Sequence, residues 1–102
     1  MKIIHVKAKN LEAVAQEYLR KDSPVVPITP WRAKSQCANP YVRSDDILLI
    51  IALGEDEEIS GYMGILPFQY LQKNGSRVYW NTCWWTKPGE GAGVSMSLLY
   101  EF

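Results

Sequence analysis

Two periods run through the apolar residues of this chain, and the points where one gives way to the other mark its elements. Leu11, Val14, Ala15, Tyr18 and Leu19 fall at i, i+3, i+4, i+7 and i+8, the spacing that gathers one stripe on a helix. Residues 11–20 are therefore predicted helical, with Asn10 as the N-cap. Thr29-Pro30 opens a second, shorter helix over residues 29–36, because threonine caps well and proline suits the first helical position; Asn39-Pro40 stops it. Residues 1–7 read as an opening strand. Further on come the apolar run Ile47 to Leu53, the charged turn Gly54 to Glu58 and the strand Ile59 to Leu66. A last strand, Arg77 to Trp85, is reached through Asn74-Gly75, the strongest short hairpin signal. The predicted order is strand, two helices, three antiparallel strands and a final helix. That is an α+β fold, a mostly antiparallel sheet flanked by helices, in one domain over residues 1–102.

Chemistry shows most clearly after the last strand. Thr86-Lys87-Pro88 leads into Gly89-Glu90-Gly91-Ala92-Gly93 and then into the helical stretch from Val94 to Tyr100. A strand ending in a glycine-rich turn that opens a helix has the outline of a phosphate cradle. Glycines let the backbone approach an anion, and the unpaired N–H groups of the first helical turn point at it. A dinucleotide fingerprint would need glycine at position 94, which is Val94, and a P-loop would need Gly-Lys-Ser/Thr; neither is present. From about Ile47 to the C-terminus, the turn and the strands before it resemble the GNAT acyltransferases, whose G-x-G-x-G loop holds the diphosphate of acyl-coenzyme A. The strand and two helices ahead of them match that family's opening elements in order.

The resemblance implies acetyl-CoA or another acyl-CoA as cosubstrate and a small-molecule amine as acceptor. It places the diphosphate on Lys87, Gly89, Glu90, Gly91, Ala92, Gly93 and Val94, with the backbone of Cys83, Trp84 and Trp85 polarising the thioester. Pro88 falls where the family carries Arg or Gln, and Lys87 beside it supplies the charge. The family's fold continues beyond this helix, so the resemblance implies an N-terminal half, inactive alone, whose unfinished sheet edge invites a homodimer. A non-catalytic α+β domain that binds a partner or self-associates is the alternative.

Charge and composition narrow the partners. Eleven basic residues against eleven acidic ones leave no net charge, so the electrostatic footprint of a nucleic-acid binder is absent. The longest apolar run, residues 47–53, is far shorter than the roughly 20 residues that span a bilayer, and the N-terminus lacks a signal-peptide core; the expectation is a cytoplasmic protein with no membrane contact. Cys37 and Cys83 have no metal-ligand spacing and read as free buried thiols, and no metal is expected. His5 reads as a structural strand residue rather than a general base, and Glu55, Asp56, Glu57 and Glu58 as a solvated turn. The tryptophans read mostly as core. Alternation along the last strand sets Trp80 and Trp84 on one face and Tyr79, Asn81, Cys83 and Trp85 on the other. Residues 22–45, with four prolines, are either a connection or the border of the acceptor site, where Arg32 and Lys34 could meet an acidic acceptor.

Overall fold

The computed structural model describes residues 2–69 and 77–89, together with Gly93 and Leu98. Its elements are β1 (Lys2–Lys7), α1 (Ala8–Arg20), α2 (Pro30–Cys37), β2 (Ile47–Leu53), β3 (Ile59–Gln69) and β4 (Arg77–Thr86). The four strands form one antiparallel sheet in the order β1-β2-β3-β4. The fold is α+β, with the elements in the order that periodicity predicts. The Asn74-Gly75 hairpin lies outside the described residues, but the pairing of Gln69 with Arg77 is the antiparallel return it implies.

The first helix starts earlier than its capping signal. α1 follows β1 without a loop, and Lys7, not Asn10, is the N-cap, with no side-chain bond to it. Its first amides are satisfied instead by distant backbone: Ala8 donates to the Asp46 carbonyl (2.7 Å) and Lys9 to that of Ser44 (3.0 Å). A tertiary contact thus does the work of a capping side chain. The corner is reinforced by Asp45, whose carboxylate lies 3.1 Å from the Lys9 ammonium and 4.0 Å from that of Lys7. α2 begins as expected, with the Thr29 hydroxyl accepting from the Arg32 amide (3.3 Å) and Pro30 in the first turn.

Both faces of the sheet are covered. On one, Leu11 and Ala15 of α1 and Ala33 of α2 pack with Val6, Leu48, Leu49, Ile51 and Ile59. On the other, Ile50, Ala52, Met63 and Ile65 pack with Leu98, and both Gly93 and Leu98 are helical. The chain after β4 has therefore crossed to the face opposite α1 and α2 by Leu98. Coverage on both sides explains why β2 is buried along its middle rather than alternating. Each leucine or isoleucine fully buried there contributes on the order of 1.5–3 kcal/mol.

Every strand pair carries one register shift. These fall at Val6/Lys7, Ala52/Leu53 and Gly64/Ile65, leaving Leu48, Ser60 and Thr82 respectively as the extra residues. The third overturns the expected alternation of β4. Cys83 pairs with Gly64, whereas Asn81 pairs with Ile65, so Asn81 shares a face with Trp84 and the Leu98 cluster while Cys83 and Trp85 face the helices. One inserted residue reverses the side-chain parity of the strand before it.

Among the described residues no tryptophan is fully buried, although Trp85 packs against the helix-face core. Trp31 is 79% exposed and Trp84 45%, and Trp85 is half-buried, stacked on Tyr62 with ring centroids 5.6 Å apart. The side chain of Trp80 lies outside the described residues. Leu19, last of the helical stripe, is also exposed, because the stripe drifts off the core face after two turns.

Candidate functional site

Of the sequence-predicted site residues, Cys83, Trp84, Trp85, Lys87 and Gly89 follow one another through the end of β4 and the turn after it. Lys87 is fixed by its backbone, whose N–H donates to the Ser60 carbonyl at 2.8 Å. Pro88 and Gly89 turn the chain away, and Gly89 has φ +92°, a conformation that residues with a Cβ adopt only under strain. A Cβ there would meet nothing within 4 Å, so backbone conformation, not crowding, calls for glycine. Gly93 is different. It is helical and exposed, and a Cβ on it would also meet open space. Among the described residues neither packing nor φ calls for glycine at this position. Glu90, Gly91, Ala92 and Val94 lie outside the described residues.

Upstream, the β4 bulge shapes the strand's helix-facing side. Thr82 has no Cα partner in β3, and its side chain and that of Cys83 both lie over Gly64. A Cβ on Gly64 would collide with the Thr82 hydroxyl and approach the Cys83 sulfur to 2.8 Å. Gly64 is therefore the space that admits the bulge. Tyr62 lies next to it; burial raises the pKa of its phenol, the neighbouring Cys83 adds to that, and the Arg32 guanidinium offsets it in part. Within the described strands β4 is the end of the sheet, so part of its backbone N–H and C=O groups point away from β3. An edge strand with a bulge is a place where a ligand's own polar chain can pair.

Beside this edge, on the helix face, a cavity of about 530 Å³ is lined by Lys2 and Ile4 of β1, Tyr18 and Lys21 at the end of α1, residues 23–25, Leu53, Glu57, Glu58, Ile59, Trp85 and Lys87. Of the residues singled out in the sequence, Trp85, Lys87 and part of the 22–45 segment line this cavity; Lys2, Lys21, Glu57 and Glu58, to which the sequence assigns no site, line it as well. The turn containing Glu57 and Glu58 is exposed, as its charge suggests, but the hairpin carries it onto the cavity rim. Arg32 and Lys34 are exposed on α2 and do not line this cavity. His5 is exposed on the opposite face of the sheet, paired in register with Ile50. Cys37 and Cys83 are free thiols, half-buried rather than buried; Cys37 donates to the Ala8 carbonyl at 3.4 Å, and burial, with the Glu12 charge, pushes its pKa up. Among the described residues no group of His, Cys, Asp or Glu could hold a metal ion, and no helix is long and apolar enough to cross a membrane.

No protein-family model matches the chain, and no curated protein does. Solved structures do. A tetramutant of the BH1408 protein from Bacillus halodurans superposes with a TM-score of 0.57 at 13% identity, covering 99% of this chain and 72% of that one. A point mutant of the same protein gives 0.52 at 15% identity, covering 99% and 71%. At such identities the likeness is one of fold, and it extends over nearly the whole of this chain.

Proposed function

We propose that the chain holds the donor-binding elements of an acyl-CoA-dependent N-acyltransferase, of the kind the GNAT enzymes represent, an activity that moves an acyl group to a small-molecule amine. The observation that carries this reading is the end of β4. A bulged edge strand runs into a turn whose Gly89 needs its positive φ, then to a helical, exposed Gly93 on which a Cβ would meet open space. Lys87 brings a cation to the same place, one residue before the turn. The neutral net charge of the chain and its free cysteines suit a cytoplasmic enzyme acting on a small substrate.

On this reading acyl-CoA supplies an activated thioester. The turn amides from Gly89 to Val94 and the Lys87 ammonium neutralise its diphosphate, aided by the dipole of the helix. The backbone of Cys83, Trp84 and Trp85 lies along the pantetheine arm. An N–H near the end of this run donates to the carbonyl oxygen as negative charge develops on it. The amine nitrogen attacks that carbonyl carbon, the N–C bond forms and the C–S bond breaks. The amine's proton leaves to water, and the sulfur departs as a thiolate that water protonates. Holding both partners at one strand end converts this into an effectively unimolecular step.

Replacing Gly91 by Trp tests the loop directly. The expected result is a loss of CoA affinity of at least tenfold with an unchanged circular dichroism spectrum; unaltered affinity would remove the diphosphate from this turn.

A further inference from the structure

The cavity beside β4 is lined by charges of both signs that do not neutralise one another. Register explains why. Lys2 pairs with Leu53, Leu53 with Ile59, and the Lys87 amide bonds the residue after Ile59. These four residues form a row across the end of the sheet, with a cation at each side and apolar residues between. Three strand spacings separate the two lysines, about 14 Å. Glu57 and Glu58 rise from the β2–β3 turn between them, and no ion pair joins either to Lys2 or Lys87 among the described residues. The third lysine on the wall, Lys21, is already engaged by Glu17 at 3.6 Å and lies 5.9 Å from the centre of the Tyr18 ring. Ile4, Leu53 and Trp85 give the cavity an apolar side.

A cation alone would find Lys2 and Lys87 opposing it, and an anion alone would find Glu57 and Glu58. A small molecule carrying an ammonium and a carboxylate, with an apolar body, meets all three surfaces. We propose that this cavity binds a zwitterionic amine of the free amino acid type, its ammonium at Glu57 and Glu58, its carboxylate at Lys2 and its side chain against Ile4, Leu53 and Trp85. Calling this ligand the acyl acceptor rests on the acyl-transfer reading; the binding site itself does not. An ammonium held by carboxylates next to the end of β4 is also the group that must lose its proton to become the nucleophile.

Backbone amide shifts of the intact chain, titrated without CoA, test it. L-leucine should give saturable shifts at Ile4, Leu53, Ile59, Trp85 and Lys87, whereas L-leucinamide and N-acetyl-L-leucine, each lacking one charge, should bind at least tenfold more weakly. A Glu57→Gln/Glu58→Gln variant, altered only on an exposed turn, should lose at least tenfold in leucine affinity, and Lys2→Met should lose several-fold. Leucinamide binding as well as leucine would overturn the zwitterion assignment, and no saturable shift at these amides would overturn the site. Leucine binding by a chain that ignores CoA would leave the site standing and remove only the acyl-transfer reading.

Discussion

Gly64 is the residue on which the candidate site depends most directly, although it touches no proposed ligand. It leaves the room into which the Thr82 and Cys83 side chains fit. Gly64→Ala should therefore destabilise the chain by about 1–3 kcal/mol, the usual penalty for overpacking, as read in urea unfolding, and CoA affinity should fall with it; a neutral substitution would mean that the bulge adjusts freely. Glu57 makes the opposite case. It holds φ 62° in a turn closed by Gly54 and Glu58, at a position where glycine or asparagine would be unstrained. Glu57→Gly should leave stability unchanged or raised, and Glu57→Val should lower it by at least about 1 kcal/mol. Neither residue's part can be read along the chain. Gly64 looks like one more strand glycine until β4 is seen to bulge above it, and Glu57 looks like a solvated charge until the hairpin brings it opposite Lys2 and Lys87.

At the scale of elements, local signals succeeded where the cause is local. Pro30 and the Thr29 cap put α2 in place, and the stripe Leu11, Val14, Ala15 and Tyr18 identified α1. The start of α1 was missed because its amides are capped by the carbonyls of Ser44 and Asp46, residues far along the chain. The faces of β4 before Thr82 depart from simple alternation because a bulge is set by the partner strand as much as by its own sequence. The corner at α1 also carries a pH dependence. A hydrogen bond from Lys9, followed by the charges of Lys9 and Lys7, lowers the Asp45 pKa below its ordinary value. The stabilisation is fully present above that ordinary value and is lost as pH falls through the lowered one; the carboxylate is exposed, so the effect is small. A carboxyl titration by NMR should show the lowered midpoint, and Lys9→Met should move it back toward normal. For the helix after β4, Gly93→Ala should raise stability by about 0.5–1 kcal/mol while weakening CoA binding. A gain in stability with no loss of binding would mean that Gly93 approaches nothing.

For the molecule as a whole, the order of elements and the α+β class were legible because each strand and helix carries its own period, and antiparallel neighbours joined by short turns pair in sequence. The cavity was not legible, since its walls come from residue 2, the end of α1, the 54–58 turn and the end of β4, brought together only by the sheet's register. Among the described strands the sheet ends in β4, an edge that a pantetheine arm, on the acyl-transfer reading, and a second copy of the chain would both pair with. These two uses compete, so CoA should reduce any concentration-dependent dimer seen by sedimentation. The acyl-transfer account stands or falls on whether the turn after β4 holds a diphosphate. A calorimetric titration of the folded chain with CoA and, separately, with pantetheine measures this. The account predicts saturable CoA binding that weakens at least a hundredfold for pantetheine, which lacks the diphosphate. Equal affinity for the two, or no CoA binding by a chain whose circular dichroism shows it folded, would contradict it.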